Sequence, residues 1–146
     1  MPTNYLPKHS AEPLDKQLAI LASAEERLNE IALLIKNNTI AAIEQGSSKD
    51  CIIKTGIIYR LASPFIHKMD AFFWTDDNCI SCGLCEKICP VQSVILKDGK
   101  PVWLHKCEQC FRCVNYCPKD AIQFSKITIG KARYKNSFIK ISDLMK

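Results

Sequence analysis

Long apolar runs are missing from this sequence. No uncharged apolar stretch approaches the ~20 residues that a membrane-spanning helix needs, so no membrane span is expected. The N-terminus, MPTNYLPKHS, lacks a basic start followed by an apolar core, and does not read as a secretory signal. No glycine-rich nucleotide loop and no nucleophile–base arrangement is visible, so turnover by this chain alone is not expected. No aromatic-plus-basic stripe of a nucleic-acid reader accompanies the net charge of +5, and nucleic acid is not expected as a partner. Large apolar residues are sparse between 72 and 125, where a core would have to form.

Cysteine is what the chain does have. Eight of its nine cysteines fall between residues 79 and 117. With no secretory signal, a cytoplasmic, reducing location is the expectation, and there a cysteine cluster points to metal more than to disulfides. The odd total also argues against a fully paired disulfide framework. Charge divides unevenly. Residues 1–78 carry 8 basic and 10 acidic side chains, a net of −2; residues 79–146 carry 12 and 5, a net of +7. Eight thiolates would offset that surplus.

Residues 11–37, AEPLDKQLAILASAEERLNEIALLIKN, predict one helix. Leu14, Leu21, Leu28 and Ile35 recur every seven residues, with Leu18, Ile31 and Ala32 beside them. Glu25 interrupts the seam, which disfavours a long coiled coil. Left uncovered, this stripe would favour self-association or a partner. Residues 39–50 turn polar and read as a connection. Residues 51–74 predict one or two short helices broken at Ser63-Pro64. Cys51 stands alone there and reads as a small apolar residue. FFWT predicts a strand, SVILKDGKPVWL two strands about an Asp98-Gly99 turn, and AIQF another strand. The fold class expected is α+β.

A shift of 28 residues superimposes CISCGLCEKICP on CEQCFRCVNYCP. Cys79, Cys82, Cys85, Cys89 and Pro90 fall on Cys107, Cys110, Cys113, Cys117 and Pro118. Two copies of one unit, related by a pseudo-two-fold axis, are expected. Each copy reads C-x2-C-x2-C-x3-C-P, the ligation run of bacterial two-cluster ferredoxins, in which the fourth cysteine serves the other cluster. Three thiols in a looping segment reach one cluster, and the fourth, on the following turn of helix, points away. The pattern implies Cys79, Cys82, Cys85 and Cys117 for one [4Fe-4S] cluster, and Cys107, Cys110, Cys113 and Cys89 for a second. Structural zinc prefers two ligand pairs separated by a loop and matches less well. His9, His67 and His105 are further possible ligands; His105 precedes Cys107 by two residues and reads as surface or hydrogen-bonded.

The neighbours suit such clusters. Gly83 lets the backbone approach closely. Pro90 and Pro118 fix the bend beyond each fourth thiol. Ile80, Leu84, Ile88, Phe111, Val114 and Ile122 offer an apolar jacket. Lys87, Lys106, Arg112 and Lys119 supply positive charge that favours the reduced state.

Beyond the cysteines, GKPVW, KCEQC, CPKDAIQF and the tail GKARYKN together resemble the fused flavodoxin–ferredoxin family. The helix after MPTNY resembles the late part of its flavodoxin-like half. The resemblance runs through the motifs from 72 to 136 and in general pattern over 1–71. It implies residues 1–71 as a helical remnant of the flavodoxin-like half, and residues 72–146 as a two-cluster ferredoxin domain with a basic tail. The loop that holds the FMN phosphate in that family is absent, so FMN is not expected. Asn136-Ser137 stands where the family tends to have Asn-Pro. A truncated reading frame or a shortened variant is the expectation.

The function expected is shuttling of single electrons between redox-partner proteins, with Lys131, Arg133, Lys135 and Lys140 of the tail available to an acidic partner surface. The alternatives are a module or subunit of a larger oxidoreductase, and a metal-stabilised interaction module without redox role.

Overall fold

The computed structural model describes residues 5–42, 44 and 46–145, without the side chains of Asp50 and Cys51. The expected packing role of the Cys51 side chain therefore lies outside the described residues. The chain divides into two compact units. One holds residues 12–63; the other holds residues 64–145 together with 5–11.

The first unit is dominated by α1 (Leu14–Lys36). Pro13, with φ −56°, leads into the first turn without a side-chain cap. Asp15 in the first turn and Lys36 in the last complement the helix dipole. The end is a Schellman turn. Asn38 takes φ 48°, its N–H donates to Ile35 O at 3.1 Å, and the Thr39 N–H donates to Leu34 O at 3.0 Å. Asparagine tolerates this left-handed position because its short polar side chain bonds locally. No residue of α1 is buried, and Leu14, Leu28 and Ile35 are 61%, 64% and 72% exposed. A π-helical segment, Cys51–Tyr59, follows and runs into an α-helical turn, Arg60–Ala62.

The α-helix ends at Ala62, just before the Ser63-Pro64 pair where a break is expected, and Ser63–Phe65 is a 3₁₀ turn.

In the second unit a 3₁₀ segment, His67–Phe72, leads into β1 (Phe73–Thr75). Then come α2 (Leu84–Lys87), the hairpin β2 (Val94–Lys97) and β3 (Lys100–Trp103), α3 (Arg112–Asn115) and β4 (Ile122–Phe124). The hairpin turns at Asp98 and Gly99, whose φ of 50° and 76° identify the type I′ turn expected of an Asp-Gly pair. A Cβ at Gly99 would sit 3.0 Å from Ser81 Oγ, so glycine also suits the close approach.

Strand pairing follows the sequence repeat. β1 pairs antiparallel with β4, and β2 with β3. Thr75 faces Ile122 as Trp103, 28 residues after Thr75, faces Val94, 28 residues before Ile122. Each small sheet thus joins one strand from each copy. The same shift carries α2 onto α3, and carries the left-handed Ser81, Gly83 and Gln92 onto the left-handed Gln109, Phe111 and Asp120.

The core is small and aromatic. Phe73, Phe111 and Phe124 meet one another at 4.9–5.4 Å between ring centroids, and Phe73 stacks on Trp103 at 5.2 Å. Leu6, Val114, Ile122 and the thiols of Cys107 and Cys113 complete it. Two buried polar side chains hold backbone amides. Asp70, 1% exposed, accepts the His105 N–H at 2.8 Å and meets His105 Nδ1 at 2.6 Å. Thr128 Oγ1 accepts the Phe124 N–H at 2.8 Å and donates to Gln123 at 2.9 Å.

Phe111 shows which term decides. Its φ of 55° costs about 1–2 kcal/mol in a left-handed position, but it is 2% exposed among three other rings. Truncating such a ring costs about 3–5 kcal/mol, so burial wins. Phe111→Ala is expected to lose stability of that size in a denaturant titration. Leu28→Ala, on the exposed face of α1, is expected to change it by less than about 0.5 kcal/mol.

Candidate metal centres

The eight clustered cysteines are free thiols, and the structure divides them between two cavities. The first is lined by Cys79, Cys82, Cys85 and Cys117, the second by Cys89, Cys107, Cys110 and Cys113. In each, three thiols come from one copy of the repeat and the fourth from the other. The two are of similar size, each with a cavity volume of about 20 Å³.

Local backbone explains the division. In each copy the chain winds around its first three cysteines through left-handed residues, Ser81 and Gly83 in one, Gln109 and Phe111 in the other. Three thiols therefore face inward within seven residues. α2 and α3 then carry the chain past the cavity, so Cys89 and Cys117 emerge on the far side of the short helices. Gly83 lines the first cavity, and its left-handed φ of 71° favours glycine; the equivalent position of the other copy holds Phe111.

Amides point at sulfur. The Ser93 N–H lies 3.2 Å from Cys89 Sγ, and the Ala121 N–H 3.3 Å from Cys117 Sγ. These two bonds again map onto each other by the 28-residue shift. The Gln109 N–H lies 3.4 Å from Cys107 Sγ. Such bonds stabilise charge on sulfur.

The surroundings differ between the cavities. The first is walled by Ile80, Leu84, Leu96, Pro101 and Ile122, with Lys119 at its edge. The second is walled by Phe73, Val94, Trp103 and Phe111, with Arg112 and Glu108 at its edge. Cys107 and Cys113 are buried, whereas Cys79 and Cys85 are half-buried. Arg112 also donates to Ile88 O at 3.1 Å, tying one copy to the other beside Cys89.

Burial pushes the thiols of Cys85 and Cys107 up to about 11, and holds Cys113 well above its ordinary 9.0. In water-poor surroundings a bare thiolate is disfavoured; a cationic metal that replaces the proton removes that penalty. Among the described residues, no three His, Cys, Asp or Glu side chains gather closely enough to hold one metal ion. Four thiols around a cavity fit a group of several metal atoms, each meeting one thiol, better than a single tetrahedral ion.

Neither His105 nor His67 lines either cavity. His105 is bound to Asp70, and His67 Nδ1 lies 3.2 Å from Cys107 O. Two basic tail residues are committed inside the fold. Arg133, whose side chain is 5% exposed, donates to Ile122 O at 3.2 Å and Gln123 Oε1 at 3.0 Å, and lies 3.7 Å from Asp120. Lys131 Nζ donates to Leu6 O at 2.9 Å and Pro7 O at 3.0 Å. Lys135 and Lys140 remain exposed. The use of residues 5–11 in this unit carried no sequence signal, because a seven-residue segment that opens with a turn has no period.

Residues 78–122 match the family model of the 4Fe-4S dicluster domain. The chain is 36% identical over 72 residues to pyruvate synthase subunit PorD of Thermotoga maritima, covering 48% of this chain and 64% of that one. It is 37% identical over 67 residues to a ferredoxin of Pyrobaculum islandicum, covering 44% and 62%. It is 32% identical over 53 residues to polyferredoxin protein MvhB of Methanothermus fervidus, covering 36% and 13%. The chain spans from 13% to 64% of the length of the curated relatives it matches. No solved structure matches it. The second unit is thus an α+β domain of 4Fe-4S ferredoxin type.

Since protons and metal compete for the same raised thiols, metal retention is expected to fall as pH falls. Chelator-resistant metal measured from pH 9 down to pH 5 checks this; a flat profile would contradict it.

Proposed function

We propose that the chain is an iron–sulfur electron-transfer protein that carries two [4Fe-4S] clusters and passes single electrons between partner proteins. The observation that carries this reading is the division of eight thiols between two similar cavities, each completed by one thiol from the other copy. The likeness to ferredoxins supports the chemistry. Cys79, Cys82, Cys85 and Cys117 are proposed to hold one cluster, and Cys107, Cys110, Cys113 and Cys89 the other. A pseudo-two-fold axis between the copies is supported by the matched strand register and sulfur bonds. When bound, each cluster accepts and releases one electron.

The chain's own groups tune and insulate. Amides on Cys89, Cys107 and Cys117 stabilise sulfur charge, which favours the more negative, reduced state. Arg112 and Lys119 act in the same direction. The apolar walls limit water. Lys135 and Lys140 remain available for an acidic partner surface; Arg133 and Lys131 do not.

Residues 1–71 are read as a remnant of a flavodoxin-like half, and 72–146 as the ferredoxin domain, on the family resemblance alone. FMN is not part of the reading, and a cytoplasmic location is. A second reading, as module of a larger oxidoreductase, is favoured by the uncovered face of α1 and the likeness to a pyruvate synthase subunit. Co-purification of a stoichiometric partner would select it.

Anaerobically purified protein is expected to hold about eight iron and eight sulfide per chain, with cubane EPR signals after dithionite reduction. Zinc in place of iron would refute the reading. Cys117→Ala is expected to disable the same cluster as Cys79→Ala, and Cys89→Ala the other. Loss of the Cys107 cluster on replacing Cys117 would refute the exchange of fourth ligands.

A further inference from the structure

The two cavities are not equivalent at one position of the repeat. Gly83 leaves no side chain beside the first cavity, while Phe111, its counterpart, contributes a ring to the wall of the second. Residues 5–11 share with Phe73 and Phe124 in covering that ring, although they lie 100 or more positions away in sequence. Tyr5 meets Phe111 edge-to-face at 5.2 Å, and Leu6 is 2% exposed in an apolar group that holds Phe111, Cys107 and Cys113 of the second cavity and Ile122 of the first.

The segment is fastened. Lys131 binds the carbonyls of Leu6 and Pro7 at 2.9 and 3.0 Å. Ala132 donates its N–H to Ser10 Oγ at 3.0 Å, and its carbonyl accepts the Ala11 N–H at 3.1 Å. A lysine half-buried on two carbonyls is a costly arrangement for a segment that merely lies on a surface.

We infer that residues 5–11 form a strap that holds Phe111 against the second cavity and keeps water from it, so that Tyr5 and Leu6 are positioning residues for that cluster alone. The inference rests on the two-cluster reading. Its consequence is directional. A reduced cluster with four thiolates is more negative than an oxidised one, and water solvates that charge better than an aromatic wall does. Loosening the strap admits water and raises the potential of the second cluster. The first cluster, walled by other residues, is an internal control.

The test is an anaerobic reductive titration followed by EPR on wild type, Leu6→Ala and Lys131→Met, with iron content measured for each. Lys131→Met releases the strap without touching an apolar side chain, so it decides the matter if Leu6→Ala does not fold. The expected result is a rise in one of the two midpoint potentials, the other unchanged, and faster bleaching in air of half the visible absorbance. Removing the lysine's positive charge would by itself lower a potential, so the sign separates an opened wall from a lost charge. Equal shifts of both potentials, or no shift with a lower melting temperature, would overturn the inference and leave the strap a structural clamp. Wild-type protein with a single reducible cluster would instead overturn the two-cluster reading beneath it.

Discussion

The second unit depends on sulfur at its centre. Two of its buried residues, Cys107 and Cys113, are thiols that belong at once to the apolar core and to the wall of a cavity. The remaining core is a group of rings and a few aliphatic side chains, small for a domain of this length. A metal group bonded by these thiols, as proposed, would supply structure as well as chemistry.

The exchange of fourth cysteines follows from the same constraint. Each copy of the repeat is too short to surround a cavity alone. Its loop presents three thiols on one side, and its short helix carries the fourth past the edge. Antiparallel pairing of β1 with β4 and of β2 with β3 holds the copies so that each reaches the other's cavity. The amide bonds to Cys89 and Cys117 sit at matched positions because the backbone repeats, not because the neighbouring residues do: Ser93 and Ala121 differ in side chain but donate alike.

Symmetry of the backbone is then broken by side chains. Gly83 against Phe111, and an aliphatic wall against an aromatic one, give the two cavities different surroundings. Under the proposed reading, two similar groups would sit in one fold beside different walls. Buried Arg133 turns inward as well, its Nη2 donating to Ile122 O and Gln123 Oε1.

Much of this was legible in the sequence. The eight thiols, their 28-residue repeat and the Asp98-Gly99 turn are local patterns, and local patterns survive without knowledge of the fold. The seven-residue stripe of α1 was equally plain, yet its surroundings were not; a periodic apolar face says that cover is wanted, not where it comes from. The change at Ser63-Pro64 was legible too, because proline removes a helical N–H donor, a local property. The basic tail looked uniform by charge, and only the fold distinguished Lys131 and Arg133, which bond inward, from Lys135 and Lys140. By itself the sequence determined which residues could bind metal, because ligand chemistry belongs to the side chain and its spacing. Which cavity lies against the aromatic core, and the packing of residues 5–11 on that core, were decided by tertiary structure, because each depends on contacts between segments that no short-range pattern records.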